Sequence, residues 1–212
     1  MTAASVVWLA FAAVACVVDW AAVHRQSPRL EYVAKPMATV LFLLVALSAQ
    51  TEQKAPQLLL VVALVFCIFG DVFLMLPRDA FVSGLASFAV AQLLLTASFA
   101  AQDPTANRLL IGIVVAVPVV GLLARRFVGA LLRVGRRELV VPVVVYMVVI
   151  TMMVVSSVAG GTIIGVVGAL AFMGSDSLIA ETRFVRTREW HGVAIMVTYH
   201  LALAGLVIGL TL

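Results

Sequence analysis

The sequence predicts an all-α, polytopic membrane protein of about eight transmembrane helices, and three observations carry that prediction. Of 212 residues, 64% are apolar and 11% charged, with a mean hydropathy of +1.19, a composition suited to a bilayer rather than to water. Apolar runs long enough to cross a ~30 Å hydrocarbon core at ~1.5 Å per residue recur along the whole chain. Twelve of the fourteen lysines and arginines fall in alternate connections between those runs. Eight spans with short connections leave no room for a separate domain, so residues 1–212 are read as a single transmembrane helical domain.

The first run, Ala3 to Val23, ends at HRQSPRLEY. Residues AVAC at 13–16 faintly resemble a lipoprotein cleavage site, but MTAASVVW carries no Lys or Arg to form a signal-peptide n-region, so the run is read as a retained helix. The second run, Val33 to Ala49, stops at QTEQKAP, and the third, Leu58 to Leu76, at PRD. Phe81 to Ala101, Leu109 to Ala124 and Leu139 to Val158 follow, broken by QDPTANR, RRFVGALLRVGRRE and AGG. Thr162 to Ala180 and His191 to Leu212 complete the set, with ETRFVRTREW between them. Each break is rich in charge or turn formers. Pro36 and Pro142 are placed in the first turns of the second and sixth helices, where proline is tolerated.

Charge sets the orientation. Arg25, Arg29 and Lys35 belong in or beside the first connection and Arg78 in the third. Arg125, Arg126, Arg133, Arg136 and Arg137 belong in the fifth, and Arg183, Arg186 and Arg188 in the seventh. Only Lys54 and Arg108 fall in even-numbered connections. By the positive-inside rule the odd connections are cytoplasmic and both termini extracytoplasmic, in a cell (inner) membrane. The net charge of +4 thus orients spans, and no nucleic-acid partner is implied.

A weak repeat runs through the chain. Asp71 and Asp176 are 105 residues apart, Pro36 and Pro142 are 106 apart, and Gly84 with Gly192 and Gln92 with His200 are each 108 apart. This offset points to two four-helix halves in parallel orientation and pairs the two aspartates, one per half.

Polar residues inside apolar spans mark function. Both aspartates lie about five residues from the cytoplasmic ends of inward-running helices, roughly 7 Å below the interface. Asp19 and Lys35 fall at a similar or shallower level, where pairing or snorkelling explains them as well as a site does. Gln92, Tyr146, Tyr199 and His200 lie deeper, so the polar side chains converge on a cavity facing the cytoplasmic leaflet. Gly161, Gly165 and Gly168 read as helix-packing positions, since no strand precedes them to make a phosphate loop.

No serine-hydrolase or zinc-protease pattern is present. Three scattered histidines make no metal cage, and Cys16 and Cys67 show neither disulfide nor ligand spacing, so no metal or cofactor is expected. Ser175 and Ser177 flank Asp176 without a neighbouring base, which argues against a serine nucleophile. Two carboxyls in a low-dielectric cleft suit acid-catalysed cleavage through an oxocarbenium-like cation: one holds a proton to donate, and the other stays ionised to stabilise the cation or activate water. Acetals, glycosides and vinyl ethers break this way.

KPM at 35–37, FGDVFLM at 69–75, FVSGLASFAVAQ at 81–92, VYMVVITMM at 145–153, GALAFMGSDSLIAETRF at 168–184 and TYHLALAGLVIG at 198–209 resemble the motifs of the lysoplasmalogenase (YhhN-like) family of eight-helix membrane proteins. The likeness runs in matching order from about Lys35 to the end of the chain, and the paired GD and SDS motifs are its most specific part. It implies hydrolysis of the vinyl ether of a lysophospholipid, giving a fatty aldehyde and a glycerophospho-headgroup, with membrane lipid as the medium. It also implies that Asp71 and Asp176 are the catalytic aspartates. Lys35, Gln92, Tyr146, Ser175, Tyr199 and His200 are the expected substrate-binding residues. The family pattern has a histidine near Gln92 and a glutamine near His200, and here the types are exchanged. On this reading one Asp, guessed as Asp176, protonates the vinyl ether, while the other stabilises the cation and guides water. Lys35 and the cytoplasmic arginines hold the phosphate.

Two readings from other classes stand beside this one. A proton-coupled transporter also uses intramembrane acids and repeated halves, though it normally places its site near the midplane. A non-catalytic scaffold would tolerate neutral substitutions of both acids. Within the enzyme class, another ether or ester lysolipid is the alternative substrate.

Overall fold

A helix start leaves four backbone amides bare, and Thr2 satisfies one of them in α1 (Ala3–His24): its hydroxyl accepts from the Ser5 amide at 3.0 Å. The computed structural model describes residues 2–76 and 80–211. Beyond α1 it contains α2 (Pro28–Ser48), α3 (Lys54–Met75), α4 (Phe81–Ala100), α5 (Ala106–Arg133), α6 (Val140–Gly160), α7 (Ile163–Phe184) and α8 (His191–Thr211). A single 3₁₀ turn, Arg137–Leu139, precedes α6. All eight helices are long and apolar enough to cross a membrane, and no strand occurs among the described residues. The all-α, eight-span expectation therefore holds. Arg78, placed in the third connection from sequence, lies outside the described residues.

Hydrogen bonds between helix ends fix their alternation. At one end the Ser48 hydroxyl donates to Ser5 Oγ at 3.1 Å, Ser98 to the Pro56 carbonyl at 2.9 Å and Arg108 Nη2 to the Gly161 carbonyl at 2.6 Å. At the other, the Tyr32 hydroxyl donates to the Met75 carbonyl at 2.6 Å and Arg126 reaches Glu181 through two 2.7 Å bonds. Successive helices thus run antiparallel, and the odd connections gather at one arginine-rich end.

Two boundaries differ most from the sequence reading. α5 runs nine residues past Ala124 to Arg133, because the apolar spacing continues through the arginines: Phe127, Ala130 and Leu131 are buried with Phe81, Leu139, Val143, Met147 and Phe184. It stops where Gly135 takes φ +75°, with Arg136 N donating to Leu131 O at 2.9 Å and Gly135 N to Leu132 O at 3.3 Å. That is the glycine C-cap geometry, which needs a left-handed residue. α2 begins at Pro28, whose fixed φ suits a first helical position. Pro36 consequently sits inside α2 and not in its first turn.

Sequential helices pair as hairpins, α4 packs on α6, and α8 also lies against α1, α2 and α3. The α7–α8 seam is close because both helices present glycine. A Cβ on Gly168 would stand 2.6 Å from the Leu206 amide nitrogen, and one on Gly205 would stand 2.8 Å from Gly168 Cα. Small residues are what let helices approach where lipid removes the hydrophobic drive between them. Outward-facing positions are apolar, as Ile163 at 83% and Val114 at 69% exposure show. Hydrocarbon, not water, is the solvent that fits such a surface.

Candidate functional site

Asp71 lies one turn before the end of α3, at 0% exposure. Gly70 before it admits the Phe88 ring, whose Cε2 stands 2.6 Å from where a Cβ would be. Two other helices then converge on the carboxyl. Its Oδ2 accepts from Thr39 Oγ1 of α2 at 2.7 Å and from the Tyr199 hydroxyl of α8 at 3.0 Å, and Lys35 Nζ stands 3.8 Å from Oδ1. Two hydroxyl donors and an ammonium offset part of the cost of burying the carboxyl.

Asp176 has a different setting. On α7, its Oδ2 accepts a 2.5 Å bond from the Tyr146 hydroxyl of α6, and the carboxyl faces a cleft. That cleft lies between α4, α5, α6 and α7. Phe88, Val120, Phe127, Ile150 and Met173 are among its walls, and its polar residues are Asp176, Tyr146 and Ser177. The rings of Phe88, Phe172 and Tyr199 pack edge to face at 5.6 to 6.0 Å, and Tyr199 carries this aromatic wall to Asp71. Cys67, 1% exposed and one turn before Asp71, lies within electrostatic reach of both acids. One carboxyl is therefore enclosed and ion-paired, whereas the other meets open apolar space.

A second, more polar cleft adjoins the first and shares Leu74, Phe81 and Ile179 with it. Glu31, Lys35 and Arg183 line it, at the arginine-rich end. Arg183 also stacks over the Phe81 ring at 4.2 Å. Glu31 and Lys35 share a face of α2 because they are four residues apart.

The structure brings most of the expected residues together. Lys35 and Tyr199 meet at Asp71, and Tyr146 meets Asp176. Gln92, fully buried on α4, lies beside Tyr146. Ser175 points elsewhere: at 1% exposure it donates to the Ile195 carbonyl at 3.1 Å and ties α7 to α8. Ser177 is the serine on the cleft. His200 lines neither cleft. Its Nδ1 accepts from Trp20 Nε1 at 2.9 Å and its Nε2 stands 3.9 Å from Asp19, which is fully buried. Indole N–H is a donor only, so Nδ1 carries no proton and the neutral ring holds its proton on Nε2, towards Asp19.

Thr39 and the cleft phenylalanines went unnoticed in the sequence. The signal for Thr39 was its spacing, four residues after Lys35 on one helix face. Glycine positions read as packing residues divide: Gly168 faces α8, Gly165 lies between Phe99 of α4 and Gly209 of α8, and Gly161 caps α6. Among the described residues no group of three or more His, Cys, Asp or Glu is placed to hold a metal ion. The arrangement sets one carboxyl on an apolar cleft and the other in a buried ion pair.

Compared with known proteins, the chain matches the model of the YhhN family over residues 30–210. No curated protein and no solved structure matches it.

Proposed function

The chain belongs to the YhhN family, the family of lysoplasmalogenases, and on that premise we propose that it hydrolyses the vinyl ether bond of a lysoplasmalogen within the membrane. The observation that carries this reading is the adjacency of two unlike clefts with a carboxylic acid on the apolar one. A single-chain lipid has the same order of parts. Its alkenyl tail fits among Phe88, Val120, Phe127 and Ile150, and its phosphate lies by Lys35. Its vinyl ether, at the junction of headgroup and tail, comes opposite Asp176.

Asp176 acts as the acid. Its proton goes to the β-carbon of the vinyl ether, the π pair forms the new C–H bond, and the α-carbon becomes an oxocarbenium ion. Asp71, held ionised by Lys35, Thr39 and Tyr199, stabilises that cation electrostatically. Water adds to the cation and returns a proton to Asp176. The hemiacetal then collapses: Asp176 protonates the departing glycerol oxygen and takes the hydroxyl proton, leaving a fatty aldehyde and the glycerophospho-headgroup. Atoms balance with one water consumed, and no cofactor is needed.

We place the arginine-rich end in the cytoplasm by the positive-inside rule, so the site serves the cytoplasmic leaflet of the cell membrane. The bonds Thr39 to Asp71 and Tyr146 to Asp176 each run from the helix preceding the acid, which supports two related four-helix halves. The test is to incubate purified protein with lysoplasmenyl-ethanolamine and lysoacyl-ethanolamine side by side. Aldehyde from the first and no fatty acid from the second is the expected result. Equal turnover of both would make the protein an esterase, and transport with no product would make it a carrier.

A further inference from the structure

Vinyl ether hydrolysis consumes one water, yet the walls around Asp176 are almost wholly hydrocarbon. A water molecule inside a protein needs two to four polar partners. Gln92 has such partners to offer. It is 0% exposed and close to the Tyr146 hydroxyl, and neither its Oε1 nor its Nε2 makes a well-formed hydrogen bond to a described residue. Burying an amide bare is costly, so the side chain calls for something to bond. Tyr146 donates its own proton to Asp176, which leaves its oxygen lone pairs free to accept.

We propose that the Gln92 amide and the Tyr146 hydroxyl hold the hydrolytic water beside Asp176, which makes Gln92 a catalytic residue. The catalytic role rests on the vinyl ether reading above; the water site rests only on the orphaned amide. The amide oxygen accepts one hydrogen of the water and so turns a lone pair towards the oxocarbenium carbon. As the C–O bond forms, the water gives a proton to Tyr146, and Tyr146 passes its own to Asp176 Oδ2. The relay leaves Tyr146 unchanged and Asp176 protonated for the next step. Gln92 also sits one turn from Phe88, a wall of the cleft, so the held water stands at the edge of the tail site and not within it.

The test pairs two measurements on the full-length protein. In water–methanol mixtures methanol competes for the cation and gives a mixed methyl acetal, so the ratio of acetal to aldehyde reads how well water is held. Gln92→Met, similar in shape but without the amide, is expected to lower kcat for lysoplasmenyl-ethanolamine roughly 10- to 100-fold, the worth of one or two hydrogen bonds. KM should stay within about 2-fold if the amide acts on water alone. The acetal share should rise, and Gln92→His, which restores a donor and an acceptor, should bring both values back towards wild type. An unchanged acetal share in Gln92→Met would overturn the catalytic role. Separately, a high-resolution experimental structure should show a water within hydrogen-bond distance of the Gln92 amide. Direct bonding of both amide atoms to protein would overturn the water site whatever the activity. Wild-type protein that holds the water but releases no aldehyde would refute the vinyl ether reading and the catalytic role, while supporting the water site.

Discussion

At the residue scale the two aspartates differ in environment. Asp71 has two hydroxyl donors and an ammonium, whereas Asp176 has one tyrosine and an open cleft. Asp176→Asn should therefore lower aldehyde release about 100- to 10,000-fold, the usual contribution of a positioned acid, with the protein still eluting as a folded species. Lys35→Met should act more on stability, because it leaves Asp71 charged and unpaired in the interior; breaking a buried pair costs about 3–5 kcal/mol, which a lowered melting temperature in detergent will report. The acids, Lys35 and both tyrosines were legible in the sequence, since a polar group inside an apolar span is costly and is seldom kept there without a role. The hydroxyl of Ser175 was not. Whether a serine faces a cleft or a carbonyl depends on helix rotation, and α7 turns Ser175 towards Ile195 while Ser177 meets the cleft.

At the element scale the glycine seam between α7 and α8 sets the position of both Asp176 and Tyr199. Gly168→Leu must push against the Leu206 backbone, so it should lower the melting temperature and the activity together. Gly129→Ala on α5 meets open space and replaces a poor helix former, so melting should be unchanged or raised by the equivalent of up to about 1 kcal/mol. The two variants measured in one detergent distinguish seam packing from a general intolerance of larger residues. Helix positions were readable from hydropathy, but the end of α5 was not. Arg125 and Arg126 look like a boundary, although the apolar spacing through Phe127, Ala130 and Leu131 carries the helix two turns further. Arg126 then bonds Glu181 across to α7, and charge that seemed to mark a loop is a helix-to-helix contact.

At the scale of the whole molecule, antiparallel alternation puts the polar cleft and the arginines at one end, and orientation decides which leaflet that cleft faces. Cys16 and Cys67 are buried at 4% and 1% exposure, so native thiols should resist a membrane-impermeant reagent. In intact cells Asp103→Cys should be labelled and Gly135→Cys protected until the membrane is opened; the opposite pattern would turn the site to the outer leaflet. In the proposed reaction an acid in an apolar cleft protonates carbon. Hydrolysis of lysoplasmenyl-ethanolamine in D₂O, with the aldehyde trapped as it forms, measures this most directly. One deuterium on the carbon next to the carbonyl, lost together with turnover in Asp176→Asn, is the predicted result. Aldehyde without that deuterium, or full turnover by the Asn variant, would contradict it.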